Sequence, residues 1–186
     1  MLRTGNLIRY KRGDKLAPVN YFLFENVLTE EQVNNIPKDP TIEDKVIYEW
    51  DDLKWAHPLL RIAKQYVPEV ESDCIGYEMW HHPNLKPKSW HFDKDEYMFY
   101  HHEPESERTL NHPLCGLIYY IEVKDLKGGR LIFENGDKIV PIQNNLVLFD
   151  GNIMHMVEEF NRGEGIRNAV IINCWASHSH KRRDGY

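Results

Sequence analysis

From Cys74 onward the chain is cut into short apolar runs that are too brief for helices and too regular for loops. Residues 74–80, 90–93, 114–123, 130–134, 146–150, 153–160 and 167–175 are rich in β-branched and aromatic side chains, and turn-forming Gly, Pro, Asn and Asp separate them. That cadence predicts an antiparallel sandwich or barrel closed over an interior. The first part of the chain differs. Residues 21–24, Tyr-Phe-Leu-Phe, form a short apolar strand. Thr29-Glu30-Glu31-Gln32 is a capping-box signature that opens a short helix, which Pro37 and Pro40 close. Over residues 51–66, Leu53, Ala56, Leu59, Leu60 and Ala63 recur near helical spacing, with Pro58 bending or dividing the segment. The expected class is therefore mainly β with supporting N-terminal helices, an α+β chain in the broad sense.

A chain of 186 residues is long enough for one domain with a sizeable core. We expect a single domain: an N-terminal strand and helices over 1–70, a β-rich core over 72–176, and a polar tail over 177–186. The first 20 residues mix basic side chains with Gly and Pro and read as an extended lead-in. The formal charge of −6 argues against nucleic acid as a partner, because phosphate binding needs clustered Lys and Arg. Only residues 178–183 are locally basic, and they read as a solvated terminus. The three cysteines lie in apolar runs without CxxC spacing, so reduced thiols are expected. No run approaches the ~18 apolar residues of a membrane span, and the N-terminus is too charged for a secretory signal. The expectation is a soluble, cytoplasmic protein with no membrane partner; oligomeric state leaves no mark on the sequence.

Within the β-rich part stands His91-Phe92-Asp93, followed 62 residues after Asp93 by His155 and 12 residues later by Arg167. In a strand, residues i and i+2 share a face, so His91 and Asp93 should project together. Two imidazoles and one carboxylate meeting at a point are the ligand set of a mononuclear non-haem Fe(II) oxygenase, with coordination positions left open. An HxD pair alone is weak evidence in a chain with ten histidines. The adjacent pairs His81-His82 and His101-His102 would point to opposite faces and read as loop polarity or substrate contact rather than a second metal site. Gly128-Gly129 ahead of Arg130-Leu131-Ile132-Phe133 is a hairpin turn into a strand. Arg167 opens an apolar strand and should share a face with Ala169, Ile171 and Asn173. An inward arginine needs an anion, either an external carboxylate held in two-pronged fashion or an internal one such as Glu122.

The order HxD, GGxLxF, His, Arg resembles the 2-oxoglutarate- and Fe(II)-dependent dioxygenase superfamily, and within it the prolyl 4-hydroxylase-like branch, over roughly residues 74–175. The resemblance implies a distorted double-stranded β-helix, or jelly roll, with helices packed on its larger sheet. It implies that His91, Asp93 and His155 hold iron and that Arg167 binds the distal carboxylate of 2-oxoglutarate, helped by a hydrogen bond from Tyr120. Leu131 falls where the family lines the cosubstrate pocket, and Trp80 lies near the place of a family tyrosine. The cofactors implied are Fe(II), 2-oxoglutarate and O2, with ascorbate as a further candidate. The loop over 158–166 is slightly longer than in many members, which makes Arg162 a second candidate for the carboxylate; its polar turn favours Arg167.

The implied activity is hydroxylation of a prolyl residue in a protein or peptide, coupled to decarboxylation of 2-oxoglutarate. Two alternatives stand beside it. One keeps the chemistry on a free amino acid or other small molecule; the other is a cupin-like protein that binds metal without redox chemistry. Candidates for substrate contact are Trp90, Tyr97, Tyr100 and Asn173, with selectivity expected in the loop over 94–113.

Overall fold

The computed structural model describes residues 6–11, 21–36, 47–48, 54–83, 87–95, 111–161 and 163–176. Along the chain these form β1 (Asn6–Lys11), β2 (Tyr21–Glu25), α1 (Glu30–Asn34), β3 (Ile47–Tyr48), α2 (His57–Tyr66), α3 (Pro68–Ser72), β4 (Gly76–Pro83), β5 (Lys88–His91), β6 (Cys115–Lys124), β7 (Leu131–Phe133), β8 (Lys138–Ile139), β9 (Leu146–Asp150), β10 (His155–Val157) and β11 (Ile166–Trp175). The strands pair antiparallel in two sheets, a large one ordered β1-β2-β9-β6-β11-β4-β3 and a small one ordered β5-β10-β7-β8. This is the two-sheet sandwich of a jelly roll with few helices. None of the described helices is long and apolar enough to cross a membrane.

Alternation along β6 and β11 explains why the molecule has three layers. Leu117 and Tyr119 of β6, with Val170, Ile172 and Cys174 of β11, face the helices and bury Leu59, Leu60, Ile62 and Ala63 of α2. Ile118, Tyr120 and Ala169 face the other way, onto Leu131 and Phe133 of the small sheet. Each large apolar side chain so removed from water contributes about 1.5–3 kcal/mol, so the large sheet is held from both faces. All three cysteines carry free thiols, Cys115 and Cys174 buried and Cys74 half-buried.

The N-terminal helices form where the local chemistry directs. The Thr29 hydroxyl accepts from the Gln32 amide at 3.3 Å and the Gln32 side chain accepts from the Thr29 amide at 2.9 Å, closing the capping box on α1. Pro58 divides the next segment: a 3₁₀ turn at Lys54–Ala56 precedes it, and α2 begins with Pro58 in its first turn, where the missing N–H costs nothing. Pro37 and Pro40 lie outside the described residues. The differences from expectation are local; the strand expected over 74–80, for one, runs over Gly76–Pro83 and takes in His81 and His82, expected in a loop. The strand expected over 90–93 runs instead over Lys88–His91, and the one expected over 153–160 contracts to His155–Val157. The short elements α3, β1, β3 and β8 have no strong periodic signature, and the strands among them are defined by their pairing, β1 with β2, β3 with β4 and β8 with β7.

Candidate active site

β10 occupies the middle of the small sheet, and its first residue, His155, stands directly opposite His91 on β5 and Phe133 on β7. The two imidazoles thus meet across a strand pair, with ring centroids 4.3 Å apart. Asp93 arrives by a different route from the one expected. β5 ends at His91, so strand alternation does not carry Asp93 to the site; the backbone just past the strand does. His112 steadies that turn by donating from Nδ1 to the Asp93 carbonyl at 2.8 Å, and the Asp95 amide donates to the Asn111 carbonyl at 2.9 Å. His91 Nε2 lies 3.8 Å from Asp93 Oδ1, and the ligand atoms of His91, Asp93 and His155 all fall within 4.8 Å of one another.

Both imidazoles are prepared as ligands. His91 Nδ1–H donates to the Ser89 carbonyl at 2.7 Å and His155 Nδ1–H to the Ile153 carbonyl at 2.9 Å. Each bond fixes a tautomer and leaves Nε2 with its lone pair toward the shared space, the outer-shell arrangement that orients metal-binding histidines. Burial, with His155 and Lys88 nearby, pushes the His91 pKa down to about 4, and burial likewise lowers that of His155. Both are neutral near pH 7, as metal binding requires. The shift also sets a pH dependence. An unfolded histidine titrates near 6.5, so between about 6.5 and about 4 the unfolded chain binds more protons than the folded one. Stability should then be full above that window and fall as the pH drops through it. Thermal unfolding of the metal-free protein from pH 7.5 to 4.5 should show a falling midpoint, less steep in His91→Gln; an equal slope in both would remove His91 as its cause.

Beside the triad a cavity of about 250 Å³ opens between the sheets. Ile118, Val157 and Ile171 give it apolar walls, Trp80 and Pro87 frame it, and two cations, Lys88 and Arg167, line it together with His91, Asp93 and His155. Arg167 is 4% exposed, donates from Nε to the Gly129 carbonyl at 3.1 Å, and holds its guanidinium carbon 5.4 Å from the centre of the Tyr120 ring. Its cross-strand neighbour on β6 is Val123, while Glu122 is exposed and pairs with Asn168. The internal counter-ion considered for Arg167 is therefore not opposite it. The glycine turn is needed for this placement: Gly128 and Gly129 have φ of +86° and +71°, and a Cβ on Gly128 would lie 2.1 Å from the Glu159 carbonyl oxygen.

Tyr120 is fully buried against Arg167, and its hydroxyl oxygen makes no hydrogen bond among the described residues. Burial raises its pKa despite the neighbouring guanidinium, which keeps it a neutral donor. Leu131 is buried in the same inner cluster and Trp80 stands opposite Ile171 on β11; of these three, Trp80 alone is a cavity wall. Asn173 is 1% exposed, opposite Glu78 and Gly116, and not part of the wall. Trp90 is 48% exposed. Tyr97 and Tyr100 lie outside the described residues, as do Arg162 and most of the loop over 94–113. Sequence reasoning missed Lys88 and His112. Val157 was within reach of it, two residues beyond His155 on one strand face.

A divalent metal and a small dicarboxylate fit these residues. The donor set is two neutral imidazoles and a carboxylate, with a buried cation and an unsatisfied buried hydroxyl close by.

No protein-family model matches the sequence, and a search among curated proteins finds no match. Solved structures do resemble it. A prolyl-4-hydroxylase from Pseudomonas putida aligns with a TM-score of 0.55 at 12% identity, over 83% of this chain and 87% of its own. The viral collagen prolyl hydroxylase of Paramecium Bursaria Chlorella virus-1, in a 2-oxoglutarate complex, aligns with a TM-score of 0.53 at 13% identity, over 82% and 94%. What is shared at such identity is the fold, and the chain has the fold of these hydroxylases.

Proposed function

We propose that this protein is an Fe(II)- and 2-oxoglutarate-dependent hydroxylase acting on prolyl residues of a protein or peptide. The observation that carries the reading is the convergence of His91, Asp93 and His155 on the same small cavity as the buried Arg167. A metal-binding protein without redox chemistry needs the triad, but it has no need of a buried guanidinium beside it. The prolyl part of the reading is supported by the kind of hydroxylase that shares the fold.

In this reading His91 and His155 bind the metal through Nε2 and Asp93 through its carboxylate, which leaves coordination positions open toward the cavity. When bound, Fe(II) with 2-oxoglutarate and O2 supplies the oxidation of a substrate C–H to C–OH, with succinate and CO2 as co-products. Arg167 grips the far carboxylate of 2-oxoglutarate in two-pronged fashion, and Tyr120 donates its hydroxyl proton to the same group. Ile118, Val157 and Ile171 keep water from the reacting centre, which strengthens each of these charged contacts.

Anaerobic addition of Fe(II) and 2-oxoglutarate should give a weak visible charge-transfer band, and no band in the wild type would end the hydroxylase reading. Aerobic mass spectrometry would then compare proline peptides with free amino acids. A product one oxygen heavier on the peptides supports the prolyl assignment; one confined to free amino acids keeps the chemistry and overturns the assignment.

A further inference from the structure

Lys88 reaches the cavity through an irregularity in β5. Simple alternation would put Lys88 and Trp90 on one face of that strand and Ser89 and His91 on the other. The pairing with β10 breaks the rule: His91 stands opposite His155 and Lys88 opposite Val157, so three steps along β5 match two along β10. The extra residue turns both His91 and Lys88 to the cavity and leaves Trp90 outside. Bulges beside active sites characteristically re-aim one side chain in this way. Lys88 remains exposed, so it sits at the mouth, whereas Arg167 is buried in the wall. Among the described residues Lys88 makes no ion pair.

Each cation suits a different task. A buried, planar guanidinium matches a carboxylate held in one geometry, whereas an exposed ammonium on a flexible stem is a movable point charge. In the proposed function Arg167 and Tyr120 take the far end of 2-oxoglutarate, and Lys88, the second cation lining the cavity, is left for whatever enters next. The whole chain carries a formal charge of −6 and would repel an anionic molecule. A cation at the mouth offsets that repulsion where it matters.

We propose that Lys88 is a specificity-determining residue that selects a substrate bearing a carboxylate close to the C–H bond presented to the metal. The inference rests on the hydroxylase reading and narrows its substrate class. The carboxylate could belong to an acidic residue next to the target in a peptide or to a free amino acid, and the test separates the two.

Binding is read anaerobically, without turnover, from the tryptophan fluorescence of the protein loaded with Fe(II) and 2-oxoglutarate, since Trp80 is part of the cavity wall. One pair of probes is a proline peptide carrying Glu or Gln beside the proline. The other is L-proline and L-prolinamide. The wild type should favour the carboxylate member of one pair by roughly tenfold, the scale of one charge-assisted hydrogen bond, and the preference should shrink as salt is added. Whichever pair shows it identifies the carrier. Lys88→Gln should bind both members equally, and Lys88→Glu should favour a peptide with Lys in place of Glu, while 2-oxoglutarate affinity stays within about twofold. No carboxylate preference in the wild type, or one that survives in Lys88→Gln, overturns the proposal. So does a parallel loss of 2-oxoglutarate affinity, which would assign Lys88 to the cosubstrate. Failure of the hydroxylase reading is separately visible as a missing charge-transfer band in the wild type.

Discussion

Arg167→Met should weaken 2-oxoglutarate binding by at least about a hundredfold while the metal still binds. The guanidinium is 4% exposed and lines the same cavity as His91, Asp93 and His155. Taking one partner from a buried ion pair costs about 3–5 kcal/mol, which is a factor of roughly a hundred to several thousand in affinity. Methionine preserves much of the volume over the Tyr120 ring and removes a buried charge, so the fold should tolerate it. The loss on the protein side includes the hydrogen bond from Nε to the Gly129 carbonyl, worth about 1 kcal/mol. Arg167→Lys should fall between, because an ammonium keeps the charge but not the two-pronged geometry. Titrating 2-oxoglutarate into the anaerobic Fe(II) protein measures all three. Unchanged affinity in Arg167→Met would make the arginine a structural residue and return the metal site to proteins without redox chemistry.

Arg167 was readable from the chain because it opens a long apolar strand, and His155 because it stands among apolar residues of β type, although its own strand is only three residues long. The run over 167–175 differs from β11 by one residue at its start, and that over 146–150 coincides with β9. The capping box of α1 is equally local, since four consecutive residues specify both of its hydrogen bonds. What the chain did not disclose depends on pairing. The bulge in β5 exists only against β10, so the strand start at Lys88, the inward turn of Lys88 and the position of Asp93 beyond the strand end have no signature in residues 87–93 taken alone. A second bulge acts similarly in β6, where Ala169 pairs with Tyr120 and Asn168 with Glu122, leaving Ile121 over. That shift puts Val123, not Glu122, opposite Arg167, and so removes a counter-ion that sequence spacing had kept open. Asn173 shows the limit of alternation. It keeps the inner face expected of it, yet lies beyond the cavity at a place where Phe149 and Gly116 close the sheet.

His155→Ala is expected to remove metal binding altogether. His91 approaches from an edge strand and Asp93 from a turn, but His155 comes from the middle of the small sheet, between β5 and β7, with 3% of its surface exposed. Its ring also packs on Phe149, with centroids 4.9 Å apart, and its tautomer is set by the Ile153 carbonyl. Without it, one imidazole and one carboxylate remain, which is one protein ligand too few for the site. In the wild type, Fe(II) under anaerobic conditions should raise the unfolding midpoint, because a ligand bound only by the folded state stabilises it in proportion to the logarithm of its concentration over Kd. In His155→Ala that rise should vanish together with the charge-transfer band. The variant also opens a void beneath Phe149 and should be somewhat less stable without metal, so the informative quantity is the metal-induced shift rather than the midpoint itself. His112→Ala supplies the contrast. It touches no ligand atom and only loosens the backbone that carries Asp93, so it should weaken the metal by about tenfold and still show a shift at higher Fe(II). A full metal-induced shift in His155→Ala would mean that the ion binds elsewhere, and the triad would lose its claim to be the centre of the site.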